Sequence, residues 1–221
     1  MLVLFDIDGT LLHSGGAGEA GFTAAGRQLY GQAFSLRDVA LAGRLDPAIW
    51  SEAVAACDVA VDAAHQAHFR QQYAEHLESA LRSGERVCRP LAGAIELVQR
   101  TAEEASLTCG VLTGNWPESG RLKLTFAGFD PDLFAVQAFA EDGVCRAELV
   151  SLAKAQWACG DDVTIIGDTP HDVACGKAHG CRTVAVTTGP YARMELESAG
   201  ADLVVDDLSD VDFLLDWMAS R

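Results

Sequence analysis

Leu2-Val3-Leu4-Phe5-Asp6-Ile7-Asp8-Gly9-Thr10 opens the chain, and the placement of its two carboxylates decides how the rest is read. A short apolar run ending in acids spaced i, i+2 and then a glycine reads as a buried strand whose C-terminal end opens into a polar site. Residues i and i+2 of an extended strand project to the same side. If the chain loosens after Asp6, one carboxylate can face a substrate while the other reaches over its flank. Two like charges that close raise each other's cost of ionisation unless a cation compensates. Open parallel sheets bind their ligands at this end of their strands.

Further apolar runs of strand length occur at Leu107 to Leu112, Phe134 to Ala138, Val163 to Ile166, Thr183 to Val186 and Leu203 to Val205. Helix-period segments lie between most of them, at Ala92 to Glu104, Pro117 to Ala127, Ala147 to Cys159 and Asp172 to Ala178. Such alternation implies right-handed crossovers and an α/β fold with a doubly wound, parallel, Rossmann-like sheet. A closing amphipathic helix is expected within Asp206 to Met218.

One connection breaks the rhythm. About 100 residues separate Asp8 from Thr113, whereas a βαβ unit needs only ~30. The excess reads as helical: Glu19 to Tyr30 stops at Gly31, Pro47 to Ala56 starts from an Asp46 cap, and Ala63 to Arg82 starts from Asp62 and stops at Gly84. We therefore expect a core of residues 1–12 and 85–221 with a helical cap, 13–84, inserted over the place where the carboxylates point.

Composition narrows the class. The 221 residues are 49% hydrophobic and carry a formal net charge of −16, a balance that repels nucleic acid and anionic lipid. Seven cysteines, with no CxxC pair, argue for a reducing compartment and against a disulfide or zinc framework. No stretch approaches the ~20 apolar residues of a membrane span, so the expected location is cytoplasmic. Oligomeric state is not readable.

Three strand ends carry polar residues: Asp6 and Asp8, Thr113-Gly114-Asn115, and Gly167-Asp168-Thr169-Pro170-His171-Asp172. In a parallel sheet all three lie along one edge, which brings four carboxylates and a hydroxyl to one pocket. Like charges at ~4 Å repel by several kcal/mol at moderate dielectric, so a divalent cation is needed, and an all-oxygen ligand set selects Mg2+ over zinc. Such a site receives a phosphoryl group, with a Thr hydroxyl and helix-start amides donating to its oxygens.

These residues resemble the haloacid dehalogenase-like hydrolase superfamily, in its phosphatase branch with a helical cap, the group of phosphoglycolate phosphatase and beta-phosphoglucomutase. The resemblance spans the chain through DIDGT at 6–10, TGN at 113–115 and GDTPHD at 167–172. It implies that Asp6 is the nucleophile, forming an aspartyl-phosphate, and that Asp8 is the general acid and base. It implies that Mg2+ is held by the Asp6 carboxylate, the Asp8 main-chain carbonyl and Asp168, with Asp172 as ligand or orienter. Thr113 and the amides of Gly114 and Asn115 would take phosphoryl oxygens. The family also uses a cation, often Lys in Gly-Lys-Pro, which this chain lacks; Arg146, Lys123 or, less favourably placed, Lys154 would replace it.

In the cap, Gly43-Arg44-Leu45-Asp46-Pro47 resembles a specificity loop, with Arg44 as a charge for a second acidic group; a solvated Arg beside a capping Asp fits equally well. His65 and His68 read as a solvated face, His171 as a turn-shaping residue, and Trp116 as a packing wall. The expected activity is that of a Mg2+-dependent phosphoric monoester hydrolase acting on a small phosphorylated metabolite. A sugar phosphomutase and a catalytically silent binding protein on the same scaffold are the alternatives, whereas a dehalogenase is disfavoured by the carboxylate at Asp8.

Overall fold

Leu2, Val3, Leu4 and Phe5 are wholly buried because the strand they form has a parallel neighbour on each side. The computed structural model describes residues 1–220. Its strands are β1 (Leu2–Phe5), β2 (Leu12–His13), β3 (Arg89–Pro90), β4 (Thr108–Leu112), β5 (Val136–Ala138), β6 (Val163–Gly167), β7 (Arg182–Val186) and β8 (Leu203–Val205). The α-helices are α1 (Ala17–Tyr30), α2 (Asp46–Ala55), α3 (Ala63–Arg82), α4 (Ala94–Glu103), α5 (Pro117–Phe126), α6 (Arg146–Trp157), α7 (Pro170–Ala178), α8 (Arg193–Ser198) and α9 (Val211–Ala219).

Six strands form a parallel sheet in the order β5-β4-β1-β6-β7-β8. The chain winds outward from β1 through β4 to β5, then returns to the other side of β1, so the order reverses beside β1. Such a switch point leaves a crevice at the carboxyl ends of the flanking strands. Register completes the placement: Phe5 pairs with both Val111 and Ile166, so Asp6, Thr113 and Asp168 emerge together. The α/β fold is the expected one.

The differences from the sequence reading are local. Helix α8 escaped notice because six residues carry too little periodicity. Helix α9 begins at Val211, later than Asp206, because the Asp210 carboxylate accepts from the Phe213 amide at 3.3 Å and caps it there. Helix α2 begins at Asp46 itself, with Leu45 as cap and no side-chain capping bond; the Asp46 carboxylate is used elsewhere.

Between β2 and β3 lie α1, α2 and α3, while β2 and β3 pair with each other through Leu12–Pro90 and His13–Arg89. We propose the division 1–12 with 85–221 and 13–84 on the ground that this short antiparallel ribbon gathers the outgoing and returning chain. Helices α1 and α3 approach closely because α1 carries glycines at the contact: a Cβ on Gly21 would meet the Leu77 backbone amide at 3.1 Å. Phe22 stacks on Trp116 at 5.9 Å with 11° between planes, and lies edge-on to Phe69 at 4.7 Å. Trp116 precedes α5 of the sheet layer, so this aromatic cluster joins the inserted helices to the sheet. All seven cysteines are free, and no helix among the described residues is long and apolar enough to cross a membrane.

Gly26 tests the packing. Alanine is the better helix former, yet a Cβ there would stand 2.0 Å from the Phe34 ring. We expect Gly26→Ala to destabilise by about 1–3 kcal/mol through overpacking, read as a lower urea midpoint; a raised midpoint would refute this packing.

Candidate active site at the strand ends

Asp6 continues β1 and donates its amide to the Ile166 carbonyl at 2.9 Å, which holds the carboxylate beside β6. Asp168 follows Gly167 at the end of β6. Asp172 comes back toward both because Thr169 and Asp172 cap α7 reciprocally: Asp172 Oδ2 accepts from the Thr169 hydroxyl at 2.7 Å and amide at 3.1 Å. The return also needs Gly167, where any Cβ would fall 2.2 Å from Asp172 Cγ. As a result, Asp6, Asp168 and Asp172 are buried with carboxylate oxygens within 4.8 Å of one another.

The charges explain the local chemistry. Arg146, the first residue of α6, sends its Nη2 to within 3.0 Å of Asp6 Oδ2 and pairs with Asp172 Oδ1 as well. Burial works against its charge, but Asp172 and Asp6 outweigh it and hold the guanidinium protonated far above ordinary pH. Burial drives the Asp6 carboxyl above its usual range against the pull of Arg146. Burial, then the charges of Asp6 and Asp172, drives Asp168 upward too. With all three carboxyl groups ionised, one guanidinium leaves two negative charges uncompensated, and Asp172 Oδ1 and Arg146 Nε lack aligned hydrogen bonds. An all-oxygen set with that residual charge fits a hard divalent cation such as Mg2+.

Asp8 faces elsewhere. Its side chain is 40% exposed, against 8% for Asp6, and its Oδ2 accepts from Lys123 Nζ at 2.7 Å and Asn115 Nδ2 at 2.8 Å. Lys123 also donates to Asn115 Oδ1 at 2.6 Å. Burial lowers the Lys123 ammonium's proton affinity, but Asp8, Tyr73 and Asp46 raise it more. The Thr113 hydroxyl accepts from Asn115 Nδ2 at 2.8 Å and from the Asn115 amide at 3.3 Å, which leaves its own proton to donate into the cavity.

The site thus uses both cations that the sequence left as alternatives: Arg146 on Asp6 and Lys123 on Asp8. Lys154 is outside it, paired with Asp161. The carboxylates of Asp6, Asp168 and Asp172 cluster, while that of Asp8 opens into the same cavity beside Lys123. Asp6, Asp8, Thr113, Gly114, Asn115, Lys123, Arg146 and Asp168 line one cavity of about 740 Å³, and Arg44 reaches its edge. Asp172 lies behind that surface. The Arg44 guanidinium is tied to Glu52 at 2.6 Å and to the Ala40 carbonyl at 3.2 Å. His171 packs on the Gly43 turn, and His65 binds the Asp62 carboxylate that caps α3. Trp116 belongs to the aromatic cluster and does not wall this cavity.

Three further contributions come from residues given no site role in the sequence: Thr188 with Gly189, Thr10 and Asp46. Thr188 and Gly189, past the end of β7, line the cavity; the Thr188 hydroxyl donates to the Gly9 carbonyl at 2.5 Å, and a Cβ on Gly189 would meet Asp168 Oδ2 at 1.8 Å. Thr187-Thr188-Gly189-Pro190 is a polar strand end of the same kind as the other three, and that pattern would have found it. Thr10 donates to Asp168 Oδ1 at 3.3 Å. Asp46 is the third: its Oδ2 accepts from the Trp116 amide at 2.9 Å and the Ser119 hydroxyl at 3.3 Å, while its amide donates to the Gly114 carbonyl at 2.7 Å. No spacing rule predicts a residue that caps a helix distant in sequence.

The family model described as haloacid dehalogenase-like hydrolase matches residues 3–177, and one described as HAD-hydrolase-like matches 144–211. The chain belongs to the haloacid dehalogenase-like hydrolase family. Solved structures with the same fold include a hydrolase from Pseudomonas syringae, 21% identical with TM-score 0.71 and 100% of both chains covered. A "predicted phosphoglycolate phosphatase" from Haemophilus somnus is 18% identical, with TM-score 0.72 and 97% of each chain covered. CbbY from Rhodobacter sphaeroides in complex with phosphate is 20% identical, with TM-score 0.68 and 95% of each chain covered. No curated protein matches the chain.

Burial raises the Asp46 carboxyl from 3.8 to about 6, only partly offset by Lys123. The folded state then binds the proton more firmly than the unfolded chain, so this residue's contribution is most favourable below pH 4 and declines as pH rises to about 6. We expect Asp46→Asn to gain stability relative to the parent between pH 4 and pH 7, by on the order of 3 kcal/mol, measured by denaturant titration at both values. An unchanged difference would refute the assignment.

Proposed function

We propose that the chain is a Mg2+-dependent phosphomonoesterase that hydrolyses a small phosphorylated metabolite through an aspartyl-phosphate on Asp6. The observation that carries this reading is the buried trio Asp6, Asp168 and Asp172, only partly balanced by Arg146 and opening into the cavity beside Asp8. Family membership supports it, since haloacid dehalogenase-like hydrolases generally use Mg2+. The Haemophilus and Rhodobacter structures, one titled as a phosphatase and one holding phosphate, support a phosphate ester as substrate.

The roles follow from the placement. An Asp6 oxygen attacks phosphorus in line, forming the acyl phosphate as the ester P–O bond breaks. Asp8, on the solvent side of Asp6, gives its proton to the departing alkoxide and then takes one from the water that attacks phosphorus. That attack releases inorganic phosphate and restores the Asp6 carboxylate. Arg146 fixes the Asp6 carboxylate and adds positive charge beside it, the Thr113 hydroxyl donates to a phosphoryl oxygen, and Lys123 with Asn115 sets the direction of Asp8. Mg2+ would be held by Asp6, the Asp8 carbonyl and Asp168, with Asp172 as ligand or orienter. It would supply charge neutralisation at the phosphoryl oxygens, which makes a weakly basic carboxylate a competent nucleophile.

The assay is release of inorganic phosphate from an aryl phosphate, which separates hydrolysis from isomerisation. We expect activity with Mg2+, loss after chelation and recovery on readdition. Asp6→Asn should lower kcat by about 10³-fold or more, and Arg146→Ala by about 10²-fold. Turnover by Asp6→Asn at the parental rate would discard the nucleophile.

A further inference from the structure

A cavity of about 740 Å³ is far larger than a phosphoryl group, so most of its wall faces the leaving alcohol. Away from Asp6 that wall is built by the inserted helices and the connection between α1 and α2: Phe22, Leu36, Ile49 and Tyr73 supply apolar surface, and Glu19 and Asp46 supply carboxylates. Three permanent cations reach the cavity, and each already has an acidic partner. Arg146 is paired with Asp6 and Asp172, Lys123 with Asp8, and Arg44 with Glu52. Glu19 is exposed at the rim and, among the described residues, has neither an ion pair nor a hydrogen bond from its side chain.

Resting on the phosphomonoesterase reading, we propose that the site selects esters whose leaving alcohol is uncharged or cationic, and that Glu19 is the residue that selects them. A second anionic group would enter beside an unpaired carboxylate with no free cation to meet it, or would have to break an existing ion pair. A hydroxyl or ammonium group finds an acceptor in Glu19, while its carbon skeleton lies against the apolar wall. The consequence separates this chain from the Haemophilus structure, whose title names an ester that carries a carboxylate.

Three esters of nearly equal size isolate the charge: 2-aminoethyl, 2-hydroxyethyl and carboxymethyl phosphate, compared at pH 8. The expected order of kcat/KM with Mg2+ is aminoethyl, then hydroxyethyl, then carboxymethyl, the last at least tenfold below hydroxyethyl. Glu19→Gln should narrow the aminoethyl to carboxymethyl ratio at least threefold, chiefly through KM, and Glu19→Lys should narrow it further. Aryl phosphate is run beside them. If it is hydrolysed while carboxymethyl phosphate equals or exceeds the neutral ester, or while Glu19→Gln leaves the ratio unmoved, the selectivity is wrong and the phosphatase reading stands. If no ester is hydrolysed, both fall together.

Discussion

The guanidinium of Arg146, held between Asp6 and Asp172, is the contact on which the arrangement of the sheet edge depends. Buried carboxylates are costly unless they are paired, and here three converge where β1 and β6 end. One guanidinium is enough to let the trio assemble and too little to neutralise it. The residual charge belongs to the architecture: reversal of strand order beside β1 places the ends of β1, β4 and β6 together, and the glycines at 9, 167 and 189 remove the side chains that would keep Asp168 and Asp172 out. A fold that spends hydrophobic burial on creating an under-compensated acidic pocket has little structural reason to do so, which is why the site reads as functional.

The two carboxylates of the opening motif are separated by environment. Asp6 is buried against Arg146, whereas Asp8 is half-open and directed by Lys123 and Asn115. Two acids two residues apart therefore sit in different environments, one within the buried acidic trio and one toward the solvent. Lys123 is not a spare for Arg146. Arg146 pairs with Asp6 and Asp172 and Lys123 with Asp8, so the two cations serve different carboxylates of the same cavity.

Much of this was legible in the chain because it is governed by local rules. Strand ends follow from apolar runs halted by polar and glycine residues, and α1 and α3 end where Gly31 and Arg82-Ser83-Gly84 stop them. Asp6, Asp8, Thr113 and Asp168 could be placed together because parallel strands share one edge. What could not be read depends on contacts across the fold. Arg44 reads as a free charge until Glu52, on the next turn of the same lobe, is seen to hold it. Asp46 reads as an ordinary cap beside Pro47, yet its carboxylate serves the start of α5. The β7 end, Thr187-Thr188-Gly189-Pro190, follows the same rule as the others.

Asp46 shows how the inserted helices and the sheet act as one surface. A carboxylate that leaves its own helix uncapped and instead accepts from the Trp116 amide ties α2 to the start of α5 at the edge of the cavity. The same seam is closed by Gly114, which lets the Arg44 carbonyl approach where a Cβ would fall 2.1 Å away, and by Gly43, whose turn receives His171. These contacts are polar and small, while the aromatic cluster around Phe22 and Trp116 supplies the apolar anchorage. Asp46 pays for its place with desolvation, since its proton affinity rises on burial. That cost is tolerable because Lys123 lies near enough to offset part of it, and so the cation that directs Asp8 also steadies the lobe above it. The charge balance of the cavity and the seating of the helices over it are therefore one problem: removing a carboxylate from the seam alters the field at Asp8, and removing Lys123 leaves two acids uncompensated.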